Sequence, residues 1–168
     1  HIKKMHEIFV NDMVMGYIDT ADFNMEYLQN EYCCEFPFSC YVLIGIKLDF
    51  DIENLNPSEI AEILKKRIQA IVDNNLGELE STVYYSTVTD NILYGLLNFE
   101  KEQEKKLRHK IRHIISDIRN MGGNENLSVH TTVGISSLSD DCSEINCKVS
   151  EVKDAIMDRL IKGVDKII

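Results

Sequence analysis

The stretch TVYYSTV-TDN-ILYGLLNF, residues 82–99, decides the fold. Its two outer runs are rich in β-branched and aromatic residues, which is typical of strands. Between them stand only Thr89, Asp90 and Asn91, three residues that favour turns. We therefore expect a hairpin of two antiparallel strands, at 82–88 and 92–99, in the middle of the chain.

The segments on either side of this hairpin extend the pattern. Residues 41–48 (YVLIGIKL) are almost continuously apolar, as in a central strand covered on both faces. The sequence Asn56-Pro57-Ser58-Glu59 carries helix-start signals, and an apolar stripe follows it through residues 60–72. Beyond the hairpin, apolar residues at helical spacing in 107–118 precede an alternating run at 127–135. The predicted fold class is α+β, with a ferredoxin-like β-α-β-β-α-β core.

Helical patterns also occupy both ends of the sequence. Residues 2–13 predict a helix that Gly16 ends, and a second helix is expected to start at Asp19 or Thr20 and to stop by Pro37. A last helix is predicted to end at Gly163, with a short strand at 166–168. We expect one domain over 1–168, made of N-terminal helices (1–36), the core (37–136) and a C-terminal α-β extension (137–168).

Composition narrows the classes of function. The net charge of −10 argues against a nucleic-acid surface on this chain, although residues 101–121 carry seven Lys or Arg against three acids. No apolar run reaches the roughly 18 residues of a membrane span, and the five cysteines form no metal or disulfide framework. We expect a cytoplasmic protein with no membrane contact. The first residue, His1, suggests a fragment of a longer protein.

The core with its α-β tail resembles the nucleotide-cyclase fold, including the diguanylate cyclases. Their signature Gly-Gly-Asp-Glu-Phe occupies the hairpin that here reads Val88-Thr89-Asp90-Asn91-Ile92, where only the Asp persists. In that family the glycines admit the nucleotide and the acids hold metal. Asp49 and Asp51 resemble the family's other metal carboxylate. The resemblance implies a degenerate domain without enzyme activity or cofactor, in which Asp49, Asp51 and Asp90 are the remaining candidates for a magnesium site.

The sequence also resembles the degenerate cyclase-like domain of AraC-type bacterial transcription regulators. The resemblance rests on Val133-Gly134-Ile135-Ser136-Ser137 and on the spacing of Ala155, Ile156, Arg159 and Gly163 before Lys166-Ile167-Ile168. Val149 and Val152 depart from the Tyr and Ala usual in that family. The resemblance implies a regulatory and dimerisation domain of a response regulator, placed between a receiver domain and a helix-turn-helix domain that contacts the DNA. Such a domain relays a signal by changing its packing.

Other interpretations remain open at this point. His109 and His113 share a helix face and are either zinc ligands or solvated surface residues. The first helix, apolar around much of its circumference, either packs into the core or pairs with a second copy of the chain. The rival function is a divergent metal-dependent nucleotide cyclase that uses Asp49, Asp51 and Asp90. Two further hypotheses are a nucleotide-binding sensor and a spacer that binds no ligand, and the sequence does not distinguish between them.

Overall fold

The computed structural model describes residues 1–50, 56–121 and 129–162, with side chains up to residue 159. Its helices are α1 (Ile2–Met15), α2 (Met25–Tyr32), α3 (Pro57–Leu76), α4 (Glu104–Met121) and α5 (Ile145–Lys162). Its strands are β1 (Cys40–Phe50), β2 (Ser81–Tyr85), β3 (Ile92–Phe99) and β4 (Val129–Ile135). The predicted order β-α-β-β-α-β is therefore present, preceded by two helices and followed by one. The predicted strand at 166–168 and the helix end at Gly163 lie outside the described residues.

The four strands form one antiparallel sheet in the order β2-β3-β1-β4. Strand β1 is central, pairing Ile44 with Gly95 of β3 on one side and with Ile135 of β4 on the other. The nearly continuous apolar sequence of this strand follows from that position, since its residues through Ile46 are all buried.

Helices cover both faces of the sheet. Alternate β1 residues, among them Val42 and Ile44, pack in one cluster with the apolar stripes of α3 and α4. The residues between them, such as Tyr41 and Leu43, pack in a second cluster with α1 and α5. The alternation of apolar and polar residues at 127–135 predicts a strand with one exposed face. This prediction was wrong at Gly134, which α5 covers, because the C-terminal helix returns across the sheet.

Local signals placed some helix ends correctly and others not. Asn56 caps α3, because its Oδ1 accepts the Ser58 N–H, and Gly16 ends α1 in the left-handed conformation. The expected start of the second helix at Asp19 or Thr20 was wrong. A short 3₁₀ turn occupies Thr20–Asp22, and α2 begins after Asn24, whose Oδ1 accepts the Tyr27 N–H at 2.9 Å.

An ion pair links the two helix layers. The buried Lys65 of α3 donates to Glu7 of α1 at 2.8 Å. Since these helices lie on opposite faces of the sheet, the pair passes the edge strand β2. Both side chains lie beside Tyr85, the last residue of that strand.

No helix in the described ranges is long and apolar enough to cross a membrane.

Candidate functional site

The turn of the β2–β3 hairpin is tighter than the sequence predicted. Thr89 and Ile92 exchange two backbone hydrogen bonds, of 3.1 and 3.0 Å, so the loop consists of Asp90 and Asn91 alone rather than three residues. Both have positive φ, 53° and 62°, which is the geometry of a two-residue type I′ turn. Asp and Asn tolerate this conformation better than other non-glycine residues, so their presence here is explained by the turn itself.

The two candidate metal ligands that the structure describes, Asp49 and Asp90, lie at one end of the sheet. The Leu48 N–H donates to the Asn91 carbonyl at 2.7 Å, which brings the end of β1 beside the turn. Asp49, the next residue, is half-buried and pairs with His130 of β4. Asp90 is exposed on the turn, and Asp51 lies outside the described residues. Within the described ranges, no three His, Cys, Asp or Glu side chains lie close enough together to hold a metal ion.

A cavity of about 470 Å³ opens beside the turn, on the face of the sheet that carries α1 and α5. Four elements line it: the last turns of α1, Lys47 of β1, the β2–β3 hairpin and the second half of α5. Of the two candidate metal ligands that the structure describes, Asp90 borders it and Asp49 does not. We refer to this space as the hairpin cavity.

Two facing glycines explain why α5 lies so close to the sheet next to this cavity. Gly45 and Gly134 are paired across β1 and β4. A Cβ on Gly134 would stand 2.8 Å from the Val152 carbonyl oxygen, and one on Gly45 would stand 2.6 Å from Val152 Cγ1. Lys47 lies two residues after Gly45 on the same face of β1. It pairs across the sheet with Ile92 of β3, and both residues have large side chains. The close contact between α5 and the sheet ends at these two side chains, which line the cavity.

The polar wall of the hairpin cavity is fixed by hydrogen bonds between α1 and the hairpin. Asn11 Oδ1 accepts from the Thr87 backbone N–H at 3.0 Å and from its hydroxyl at 3.2 Å. Ser86 Oγ accepts from the Tyr94 N–H at 2.9 Å. Burial raises the pKa of the Tyr94 hydroxyl, and the negative charge of Asp90 raises it further. Tyr94 is therefore a neutral hydrogen-bonding group at physiological pH.

The two lysines of the cavity have different surroundings. Lys153 Nζ donates to the Val14 carbonyl at 3.1 Å, so its charge stands at the C-terminal end of α1, where the helix dipole favours a cation. Lys47 is half-buried, and its ammonium has no hydrogen bond or ion pair with any side chain or backbone group that the structure describes. Lys47 was not among the predicted site residues, although a single lysine inside an apolar strand is the signal that marks it.

A second polar cluster joins the loop after β4 to α5. Lys148, buried to 6% exposure, donates to the Ser137 hydroxyl at 2.7 Å and pairs with Glu151 at 3.3 Å and Glu144 at 3.9 Å. Burial acts to raise the pKa of Glu151, but hydrogen bonds from the Ser137 N–H, the Ser137 hydroxyl and Lys148 outweigh it and lower that pKa overall. Lys148 donates to Ser137 and two carboxylates flank it, so the cluster anchors the loop to α5.

His109 and His113 lie on the exposed side of α4, as predicted, with their Nε2 atoms 3.2 Å apart. Their neighbours on this surface are cations, including Lys105, Arg108 and Arg112. The two rings meet edge to face at 4.7 Å. Two imidazoles in a basic environment are half of a typical zinc set, and the described residues supply no third ligand.

The chain matches no protein-family model and no curated protein. Its structure is similar to that of the diguanylate cyclase SiaD from Pseudomonas aeruginosa, solved in complex with its activator SiaC, with a TM-score of 0.48 and 16% sequence identity. That similarity covers 77% of this chain, which spans 50% of the cyclase chain. A de novo designed protein, Foldit4, matches with a TM-score of 0.28 and 19% identity over 55% of this chain and 96% of its own. Neither similarity is strong enough to assign a family or an activity.

Proposed function

We propose that this chain is a non-catalytic regulatory and dimerisation domain of an AraC-type bacterial transcription regulator, cytoplasmic and single over 1–168. Its fold is ferredoxin-like and of the nucleotide-cyclase type. The strand order β2-β3-β1-β4 with two β-α-β crossings supports the fold part of this proposal. Receiver and helix-turn-helix domains are its partners within the whole regulator, and DNA binding belongs to the latter.

One observation carries the regulatory role: α1 and α5 lie side by side on one face of the sheet. Lys153 of α5 bonds directly to the last turn of α1, and the two helices share the hairpin cavity. Any change that displaces α5 therefore alters its contacts with α1. Two packing arrangements of this pair would relay a signal without chemistry.

The hairpin supports a role other than catalysis. Its turn is closed by its own backbone hydrogen bonds and is tied to α1 through Asn11. Val88 and Thr89 stand where the cyclase signature has the glycines that admit nucleotide, and Asp90 and Asn91 form a tight left-handed turn. The hairpin here is suited to holding α1 in place.

The second candidate function is a divergent metal-dependent nucleotide cyclase or a nucleotide-binding sensor. The hydrogen bond from Leu48 to Asn91 favours it, because it brings the strand end that carries Asp49 beside the turn that carries Asp90. A cyclase of this kind would need Mg²⁺ between these carboxylates. Asp90→Asn distinguishes the two candidates, because asparagine also tolerates the left-handed turn but removes the carboxylate charge. It would abolish magnesium-dependent nucleotide binding and leave a purely regulatory domain unaffected.

Dimerisation is expected to use the outer side of α1. Phe9, Val10 and Met13 are buried against the sheet, which explains part of the apolar circumference of the helix, while Ile2 and Ile8 remain 58% and 38% exposed. We expect sedimentation at tens of micromolar to show a dimer and Ile8→Glu to convert it to a monomer, because a charge in an apolar interface loses its hydration without a partner.

Ile63→Glu is the matched control for this experiment. Ile63 is an equally apolar, 46% exposed residue on α3, so the same substitution there should leave the dimer intact. A wild-type monomer, or a dimer that Ile8→Glu does not affect, would contradict dimerisation through α1.

A further inference from the structure

The hairpin cavity has the size and the walls of a small-molecule site. At about 470 Å³ it lies within the range of roughly 300–1,000 Å³ typical of ligand pockets. Its apolar walls come from three elements: Val14 of α1, Ile92 and Tyr94 of the hairpin, and Ile156 of α5. Met15 and Met157, both more than half exposed, stand at its margin. The apolar surface favours a ligand with an apolar body.

The charges of the cavity indicate the other end of such a ligand. Two lysines and one aspartate border it, a net charge of plus one in a chain whose net charge is −10. Lys153 already donates to the end of α1, and Asp90 is exposed on the turn. Lys47 is left as a half-buried cation, without a partner among the described groups, beside apolar side chains. Burying a charge in such surroundings is costly unless an opposite charge joins it.

The geometry points to a small amphipathic anion as the ligand of the hairpin cavity: an apolar body against Val14, Ile92 and Ile156, with one carboxylate or phosphate on Lys47. The Thr89 hydroxyl also lines the cavity and can donate to the headgroup, whereas the Thr87 hydroxyl already donates to Asn11. The ligand would be the signal of the proposed regulatory domain, so this inference rests on the proposed function and names the chemical class of that signal. A ligand held between α1 and α5 contacts both helices of the proposed relay.

Other ligand classes fit the cavity less well. A nucleoside triphosphate carries several negative charges, whereas the cavity offers one cation that has no partner among the described groups. An amphipathic cation would meet Lys47 and Lys153 at short range. A neutral apolar molecule would fill the volume and leave the Lys47 charge unpaired.

Four probes that share an eight-carbon alkyl chain test the inference: octanoate, octyl phosphate, octanol and octylammonium. Each is titrated into the protein by calorimetry. We expect either anion to bind at least about tenfold more tightly than octanol or octylammonium. The order of the two anions tells a carboxylic acid from a phosphate ester as the natural headgroup. Lys47→Met, which keeps an apolar side chain of similar length, should remove the preference for anions.

Two further variants complete the test. Lys106→Met removes an exposed lysine of α4 remote from the cavity and should leave every affinity unchanged. Met157→Trp adds bulk at an exposed position of the mouth and should weaken all binding. Failure of all four probes to bind, equal binding of octanol and octanoate, or a preference for anions that survives Lys47→Met would overturn the inference.

The regulatory role has its own readout in the same samples. Sedimentation with and without bound octanoate reports whether the ligand changes the dimer equilibrium. Binding with the expected charge preference but no such change would retain the site and argue against the relay.

Discussion

Gly134→Ala is expected to lower the free energy of unfolding by about 1–3 kcal/mol, the usual cost of forcing extra volume into a packed interior. The new Cβ would stand 2.8 Å from the Val152 carbonyl oxygen and 2.9 Å from Ile156 Cγ1. The first of these atoms belongs to the backbone of α5, so relief requires the whole helix to move away from the sheet. In a chain of this size each kcal/mol corresponds to about 2–4 °C in Tm, which a thermal melt resolves.

Gly95→Ala is the matched control for this prediction. Gly95 lies in the same sheet, on β3, and a Cβ there meets its nearest neighbour, Tyr85 Cδ1, at an ordinary 3.7 Å. Alanine is also favoured over glycine inside a strand by about 0.5–1 kcal/mol. Gly95→Ala should therefore be neutral or stabilising. Equal losses of unfolding free energy in the two variants would contradict the close packing of α5 against Gly134.

Glu7→Ala is expected to destabilise the chain by about 1–3 kcal/mol, because it leaves the Lys65 ammonium buried without its acceptor. Lys65 is only 3% exposed, and its one ion pair among the described residues is the 2.8 Å contact with Glu7. Alanine is a better helix former than glutamate, so a loss of stability cannot come from the propensity of α1. Denaturant titration of the variant gives the change directly.

The pair is asymmetric, which provides an internal control. The side chain of Glu7 is 34% exposed, so it can turn to water when its partner is removed. Lys65→Met should therefore cost less than Glu7→Ala, and the double variant should recover most of the loss. If Lys65→Met were the more damaging of the two, the pair would not be holding a buried ammonium.

Local patterns predicted the elements of the core because each element is determined mainly by its own residues. Strand β3 was placed at its observed bounds, 92–99, since its apolar residues fill the centre of a sheet. The start of α3 was also correct, because Asn56 and Pro57 act on the adjacent turn. Such signals act over three or four residues and can be read from one sequence.

Contacts from distant parts of the chain decided what the sequence did not predict. Strand β2 was expected to extend to Val88 but ends at Tyr85. The Thr87 N–H there bonds to Asn11, which lies 76 positions earlier in the sequence. In the same way, Lys47 reads as part of a buried strand, and only the placement of α1 and α5 shows that it borders a cavity. Asp90 was predicted as a candidate metal ligand, whereas its φ of 53° shows that it has a structural role in the turn.

The most direct test of a non-catalytic regulatory domain is pyrophosphate release from GTP and from ATP, with Mg²⁺ and with Mn²⁺, at protein concentrations where a dimer is present. We expect no release above the protein-free rate, with wild type and Asp90→Asn indistinguishable. Metal-dependent release that Asp90→Asn abolishes would contradict a non-catalytic role, and would show that the hairpin turn carries a working catalytic carboxylate.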